Sequence, residues 1–211
     1  MKLFNIYKKL KKYGIRNSLS IFFHKIFGVF YIYEINLKNF NEKILNNYSY
    51  VFKMIDKNIL DRMYIEKKVP VYKIEILKDR IKNYKETLNY IVMDSNNNIM
   101  GHFCIALKNI SVNPYINSSL IIEKGTTYYF DDFTIEEYRK KGVQTYSLLK
   151  RMEISKKLGY EKSIILTYNF NINAQKAIEK SGMKKIQVIY EINLFKKKIF
   201  MYGRRSKNEN M

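Results

Sequence analysis

Three cations, Arg139, Lys140 and Lys141, stand directly before Gly142, where a strand-like run gives way to a helix-like run. The first amides of a helix have no partner inside the helix, and the helix dipole adds positive charge at the same end. A glycine lets the backbone approach a ligand closely, and the cations add full charges. This combination suits a bound pyrophosphate group. The same residues would also suit an ordinary strand-to-helix turn in a lysine-rich protein.

Two adjacent carboxylates, Asp131 and Asp132, lie near the end of the strand-like run 126–135. Neighbouring residues of a strand face opposite ways, so at most one of them faces a bound substrate. Two neighbouring carboxylates can also raise one of their pKa values, which suits a general base. The alternative is that both carboxylates only offset the lysines around them.

The elements around these residues predict a mixed α+β sheet rather than a doubly wound one. Strands are predicted over 28–37, on both arms of a hairpin within 87–107, over 126–135 and 163–168, and in a final pair, 185–195 and 197–203. Helices are predicted within 39–68, ended by Pro70, and over 145–157 and 173–180. The predicted sheet is therefore mostly antiparallel and flanked by helices.

Three segments are expected along the 211 residues. Residues 1–27 read as a basic amphipathic helical extension, residues 28–203 as the main domain, and residues 204–211 as a flexible basic tail. The extension could pack on the domain, or it could lie peripherally on an anionic membrane surface. No run of 18 apolar residues or secretory signal is found, so a cytoplasmic location is expected, with the inner membrane surface as an option.

The net charge of +20 indicates an anionic partner, or a lysine-rich composition that AT-rich codons alone would produce. Nucleic acid is not expected as the main partner, because arginine, the preferred group for phosphates and base edges, is far rarer than lysine. A single cysteine, Cys104, excludes a disulfide framework and reads as a buried structural thiol. His102, in an apolar run, reads as a hydrogen-bonded sheet histidine, and no metal site is expected.

Two stretches resemble the GNAT superfamily of N-acetyltransferases. EEYRKKGVQ resembles its acetyl-CoA signature, Q/R-x-x-G-x-G/A, set between a strand and a helix. NINAQKAIEKSGM resembles its downstream run, N-x-x-A-x-x-x-Y-x-K-x-G-F, with Asn171, Ala174, Lys180 and Gly182 in register. Three positions depart from the pattern: Gln144 replaces Gly or Ala, Met183 replaces Phe, and Ile178 replaces the Tyr that is the usual candidate acid for the leaving thiolate.

The resemblance, which covers roughly residues 28–200, implies a role for each matching position. The backbone of Asp132, Phe133 and Thr134, at the end of the family's fourth strand, would pair with pantetheine. Asn171 would contact the pantetheine or the thioester. The pyrophosphate would be held by the amides of Lys140, Lys141, Gly142, Val143, Gln144 and Thr145, with added charge from Arg139 and Lys141. Asp131 would then be the favoured base, unless a strand bulge reverses the two carboxylates.

The implied activity is transfer of an acetyl or short acyl group from acetyl-CoA to a primary amine by direct attack. The stretch YYFDDFTIEEYRKKGV is reminiscent of members tied to surface polysaccharide synthesis, so an amino sugar is the expected acceptor. The competing reading is a GNAT-like module without catalysis that uses its charge on nucleic acid or an anionic membrane. Gln144 and Ile178 keep that reading open.

Overall fold

The structure, a computed structural model, describes residues 27–107, 122–194 and 197–205. Within them, eight strands form one sheet: β1 Phe27–Asn36, β2 Val51–Met54, β3 Thr87–Met93, β4 Ile99–Ala106, β5 Thr126–Thr134, β6 Lys162–Tyr168, β7 Lys184–Leu194 and β8 Lys197–Tyr202. The α-helices of the same part of the chain are α1 Lys57–Glu66, α2 Val71–Asn83, α3 Val143–Lys157 and α4 Ile172–Lys180.

The strand order is β2-β3-β4-β5-β6-β1-β7-β8. The pair β5–β6 is parallel, and the other neighbouring pairs are antiparallel. This confirms the predicted mixed and mostly antiparallel sheet. The first strand lies in the middle of the sheet, between β6 and β7, so the sheet is completed only when distant parts of the chain meet.

Helices cover both faces of the sheet, which gives three layers. Ile59 of α1 and Leu77 of α2 pack against one face, in a core cluster that includes Phe130 of β5. Leu148 of α3 and Ile178 of α4 pack against the other face, beside Tyr129 of β5. The adjacent residues Tyr129 and Phe130 therefore face opposite layers, as strand alternation requires.

The helix predicted within 39–68 is shorter than expected. The chain first forms two 3-10 turns, at Leu37–Asn39 and Glu42–Asn47, and the edge strand β2 before α1 begins. Asp56 fixes that start, because its Oδ1 accepts a hydrogen bond from the Ile59 amide at 2.8 Å. Pro70 stands directly before α2, a helix that was not predicted.

The two ends of the chain are described only in part. Residues 1–26 and 206–211 lie outside the described residues, and so do the predictions made for them, while Phe27 already belongs to β1. Arg205, in the predicted tail, contacts Glu34 at 2.7 Å and Glu123 at 2.9 Å. No helix of the described ranges is long and apolar enough to cross a membrane.

Candidate active site

The sheet opens between β5 and β6. Their parallel pairing runs only from Thr126–Lys162 to Tyr129–Ile165. Beyond it, β5 continues along β4 to Thr134, and β6 continues along β1 to Tyr168. The second halves of β5 and β6 therefore separate, and each presents a backbone edge to the gap. An extended ligand could pair with such an edge as an added strand does.

A β-bulge lies on β5 beside this gap. Phe130 is opposite Cys104 and Phe133 is opposite His102, so Asp131 and Asp132 share one position of β4. Asp131 has a φ of 51°, in the left-handed region. The bulge resets the alternation of side chains: Asp131 contacts α2, and Asp132 contacts α3 on the other face. The two carboxylates thus face opposite ways, and the bulge reverses the face that simple alternation would give each of them.

Asp131 lies among three nitrogen-bearing side chains. Its Oδ1 is 2.8 Å from Lys73 Nζ, and its Oδ2 is 3.0 Å from Arg80 Nη1 and 3.7 Å from His102 Nε2. Burial raises the pKa of Asp131, but His102 and Lys73 outweigh it and hold that pKa well below its usual range. The expectation of a raised pKa from two adjacent carboxylates is therefore wrong for Asp131.

Asp132 forms a two-pronged ion pair with Arg151 of α3. The Nη1–Oδ1 and Nη2–Oδ2 distances are both 2.8 Å, and Arg151 is fully buried. Arg151 also donates to the Cys104 carbonyl and lies 4.7 Å from the Tyr129 ring centre. Gln144 Nε2 donates to Asp132 Oδ2 at 3.3 Å. This network ties the bulge of β5 to the first turn of α3, where the expected pyrophosphate site begins.

The turn before α3 has the backbone that an anion site needs. Gly142 stands at the N-cap with a φ of 80° and provides no side-chain hydrogen bond to the helix start. A Cβ at Gly142 would be strained at this φ and would lie 3.3 Å from Tyr48 Cε1. Lys140 also has a positive φ, 64°. Tyr50 steadies the turn, because its hydroxyl donates to the Lys141 carbonyl at 2.7 Å. Backbone amides of such a turn and helix start suit an anion.

The cations of the turn are held loosely. Arg139 Nε donates to the Thr134 carbonyl at 3.4 Å, and its Nη1 lies 4.0 Å from Glu136. Lys141 Nζ lies 5.2 Å from the Tyr138 ring centre. On the other side of the gap, Asn171 caps α4, since its Oδ1 accepts from the Ala174 amide at 3.2 Å. The cations therefore remain available to a phosphate, while Asn171 already has a structural task.

Solved structures resemble this chain in fold, although its sequence has diverged from theirs. No protein-family model matches the sequence, and no curated protein matches it. A functionally unknown protein from Staphylococcus epidermidis matches with a TM-score of 0.54 and 14% identity, over 82% of this chain and 65% of that protein. A fungal GCN5-related glucosamine N-acetyltransferase region, part of a multi-domain β-N-acetylglucosaminidase, matches with a TM-score of 0.56 and 11% identity, over 82% of this chain and 22% of that one.

The chain has the GNAT fold. A spermidine N-acetyltransferase from Vibrio cholerae, solved with CoA and spermine, also matches, with a TM-score of 0.48, 14% identity and coverage of 64% of this chain and 80% of that one. At these identities the likeness concerns the fold. The resemblance stated from the two sequence motifs is confirmed at that level.

The GNAT fold brings the predicted site residues to the borders of the gap. Asp131 to Thr134 lie on β5, Arg139 to Thr145 form the turn and the first residues of α3, and Asn171 follows β6. Their contacts with acetyl-CoA stay predictions. In the ranges 27–107, 122–194 and 197–205, no group of three or more His, Cys, Asp or Glu side chains is arranged to hold a metal ion.

Several residues of the site were missed from the sequence. Lys73 and Arg80 belong to the unpredicted helix α2, and Arg151 lies among inward-facing apolar residues of α3. An arginine three residues after the inward Leu148 is a signal that could have been used. His102 lies in a strand as predicted, but its expected hydrogen bonds are not formed among the described residues: Nε2 lies 3.7 Å from Asp131 Oδ2, beyond hydrogen-bond distance, and Nδ1 has no partner.

Proposed function

We propose that the chain is an N-acetyltransferase that moves an acetyl group from acetyl-CoA to a small primary amine. The observation that carries the proposal is the gap between β5 and β6, with a bulged strand edge on one side and the Gly142 turn at its mouth. The edge at Asp132, Phe133 and Thr134 would pair with the pantetheine amides. The amides from Lys140 to Thr145 would hold the pyrophosphate, helped by Arg139 and Lys141.

The chain's own residues would supply position and charge. The thioester is already activated, so the amine can attack it without a covalent enzyme nucleophile. A backbone N–H of β5 at the bulge would bind the oxygen that gains negative charge. Asp131, held ionised by its neighbours, would orient the incoming ammonium, and the proton would leave to water. Asp132 would act through Arg151 to hold the bulge in place.

The leaving thiolate needs a proton, and α4 offers none at the usual position. Ile178 is fully buried and apolar. Water at the open gap would therefore protonate the thiolate, in place of the usual tyrosine. Direct transfer remains possible without a protein acid, because the thioester is already activated and the fold orients the two reactants.

The proposed acceptor is an amino sugar. One of the structures that resemble this chain is a glucosamine N-acetyltransferase region, which supports the proposal by analogy of fold only. The cytoplasmic location and the membrane contact of residues 1–27 stay predictions.

Calorimetric titration of acetyl-CoA into the purified protein tests the proposal. Gly142→Asp adds a strained Cβ and a negative charge at the turn, so we expect micromolar binding by the wild type and loss of that binding in the variant. Gly159→Asp is the matched control, because Gly159 lies just past the other end of α3 with a φ of 83° and open space around it. Binding that is equal in the wild type and in Gly142→Asp, or absent from the wild type, would contradict the proposal.

A further inference from the structure

The α2 side of the bulge is a half-buried cluster with more cations than carboxylates. Asp131 contributes one negative charge, and Lys73 and Arg80 contribute two positive charges within 3.0 Å of it. Arg80 is 3% exposed and His102 is fully buried, whereas Lys73 and Asp131 are 18% and 19% exposed. The buried side chains of Arg80 and His102 therefore form the floor of the cluster, and Lys73 and Asp131 form its opening.

The same cluster has more hydrogen-bond donors than acceptors. The Nε of Arg80 is a buried donor without a hydrogen-bond partner among the described residues, whereas the two buried ring nitrogens of neutral His102 supply one donor and one acceptor. Arg80 Nη1 already donates to Asp131 Oδ2 and to Cys104 Sγ, and Lys73 Nζ donates to Asp131 Oδ1. Guanidinium and ammonium groups only donate, so Lys73 and Arg80 together offer more donors than the two carboxylate oxygens of Asp131 can accept. Lys73, at the opening, is the donor of this cluster that a ligand can reach, so an oxygen-rich ligand is favourable there.

The other carboxylates near the gap leave little negative charge for a polycation. Asp132 is paired with Arg151, and Glu137 is paired with Lys68 at 2.7 Å. Each of these carboxylates thus already has a cationic partner. Lys141, which contacts the Tyr138 ring, is a further cation at the border of the gap. A polyamine would meet repulsion at this surface, whereas an anion would be attracted.

We propose that the acceptor carries an oxyanion, a phosphate or a carboxylate, close to the amine that is acetylated. This rests on the proposed acetyltransferase function. The ammonium would contact Asp131 at the bulge, and the oxyanion would contact Lys73. Lys73 Nζ lies 2.8 Å from Asp131 and 5.3 Å from the Phe133 ring centre, so both contacts fall at the strand edge where the thioester is expected. Lys73 is then a specificity-determining residue.

Matched acceptors test the proposal in the full-length protein with acetyl-CoA. Initial rates of CoA release are measured with glucosamine, glucosamine 6-phosphate, muramic acid, which carries a carboxylate, and spermidine. We expect at least one of the two anionic sugars to exceed glucosamine and spermidine in kcat/KM. Lys73→Met should lower kcat/KM for that acceptor roughly tenfold to hundredfold, because it removes one charge-assisted contact to the oxyanion. The decrease for glucosamine should be much smaller.

Lys78→Met is the control variant. Lys78 lies on the same helix, is 41% exposed and pairs with Glu75, so its loss should leave the acceptor preference unchanged. A preference for spermidine or glucosamine, or an equal loss for every acceptor in Lys73→Met, would overturn the proposal while leaving the acetyltransferase function intact. Absence of acetyl-CoA binding, or of CoA release with any amine, would instead overturn the proposed function and this inference together. Whether the phosphate or the carboxylate is preferred identifies the oxyanion.

Discussion

His102 illustrates how burial acts on a single titratable residue of this sheet. Its ring stacks on Phe133 and lies beside Asp131, Lys73 and Arg80. Burial lowers the pKa of His102, Asp131 partly restores it, and the two cations lower it further. The net result is a pKa below the ordinary 6.5, so the ring is charged less readily in the folded chain than in the unfolded chain.

This shift predicts a pH-dependent stability. The unfolded chain binds the proton more readily, so the contribution of His102 is complete above pH 6.5 and is lost as the pH falls below that value towards the folded-state pKa. We expect the free energy of unfolding, measured with urea, to fall between about pH 7 and pH 5, and His102→Gln to flatten that slope. His24→Gln is the control, since His24 is the other histidine of the chain. A slope that persists in His102→Gln would contradict the assignment.

At the scale of an element, two roles are predicted for Asn171, the residue that precedes α4. Asn171 caps the helix through its Oδ1, and the family resemblance also gives it a contact with pantetheine. An aspartate keeps the capping oxygen but has no amide donor, whereas an alanine loses both. The two tasks can therefore be separated by substitution.

We expect Asn171→Asp to unfold at the same urea concentration as the wild type and to bind acetyl-CoA more weakly in calorimetry. Asn171→Ala should bind weakly and also lose about 1 kcal/mol of unfolding free energy, because the helix loses its cap. If Asn171→Asp binds acetyl-CoA as tightly as the wild type does, Asn171 has no contact with the cofactor and acts only as a cap.

The elements that the sequence predicted are those with strong local patterns. β5, α3 and the Gly142 turn between them follow from apolar periodicity and one glycine. By contrast, α2 buries Arg80 on the same face as Ile74 and Leu77, so its apolar pattern is interrupted. Which face each of Asp131 and Asp132 takes depends on a bulge, which is set by pairing with β4. Helix α2 and the directions of the two carboxylates depend on contacts between distant elements, so no local sequence pattern predicts them.

At the scale of the whole molecule, two half-sheets meet at one short seam. The strands β2, β3, β4 and β5 form one half, and β6, β1, β7 and β8 form the other. The seam is the parallel pairing of β5 with β6, and four buried hydroxyl groups lie against it. Thr127 Oγ1 lies 2.8 Å from Ser163 Oγ and 3.0 Å from Ser155 Oγ, and the Tyr129 hydroxyl contacts the same two serines. This hydroxyl cluster therefore anchors the point from which the gap opens.

Removing one hydroxyl from the cluster should weaken the whole sheet. Thr127→Val keeps the shape of the side chain but leaves Ser155 and Ser163 each with one partner fewer, so we expect a loss of about 1–3 kcal/mol in the free energy of unfolding. Thr167→Val is the matched control, because Thr167 is 8% exposed on β6 and its hydroxyl has no hydrogen-bond partner in the described part of the chain. Urea unfolding of both variants decides the question. A loss in Thr127→Val no larger than in Thr167→Val would mean that backbone pairing alone holds the two half-sheets together at the edge of the gap.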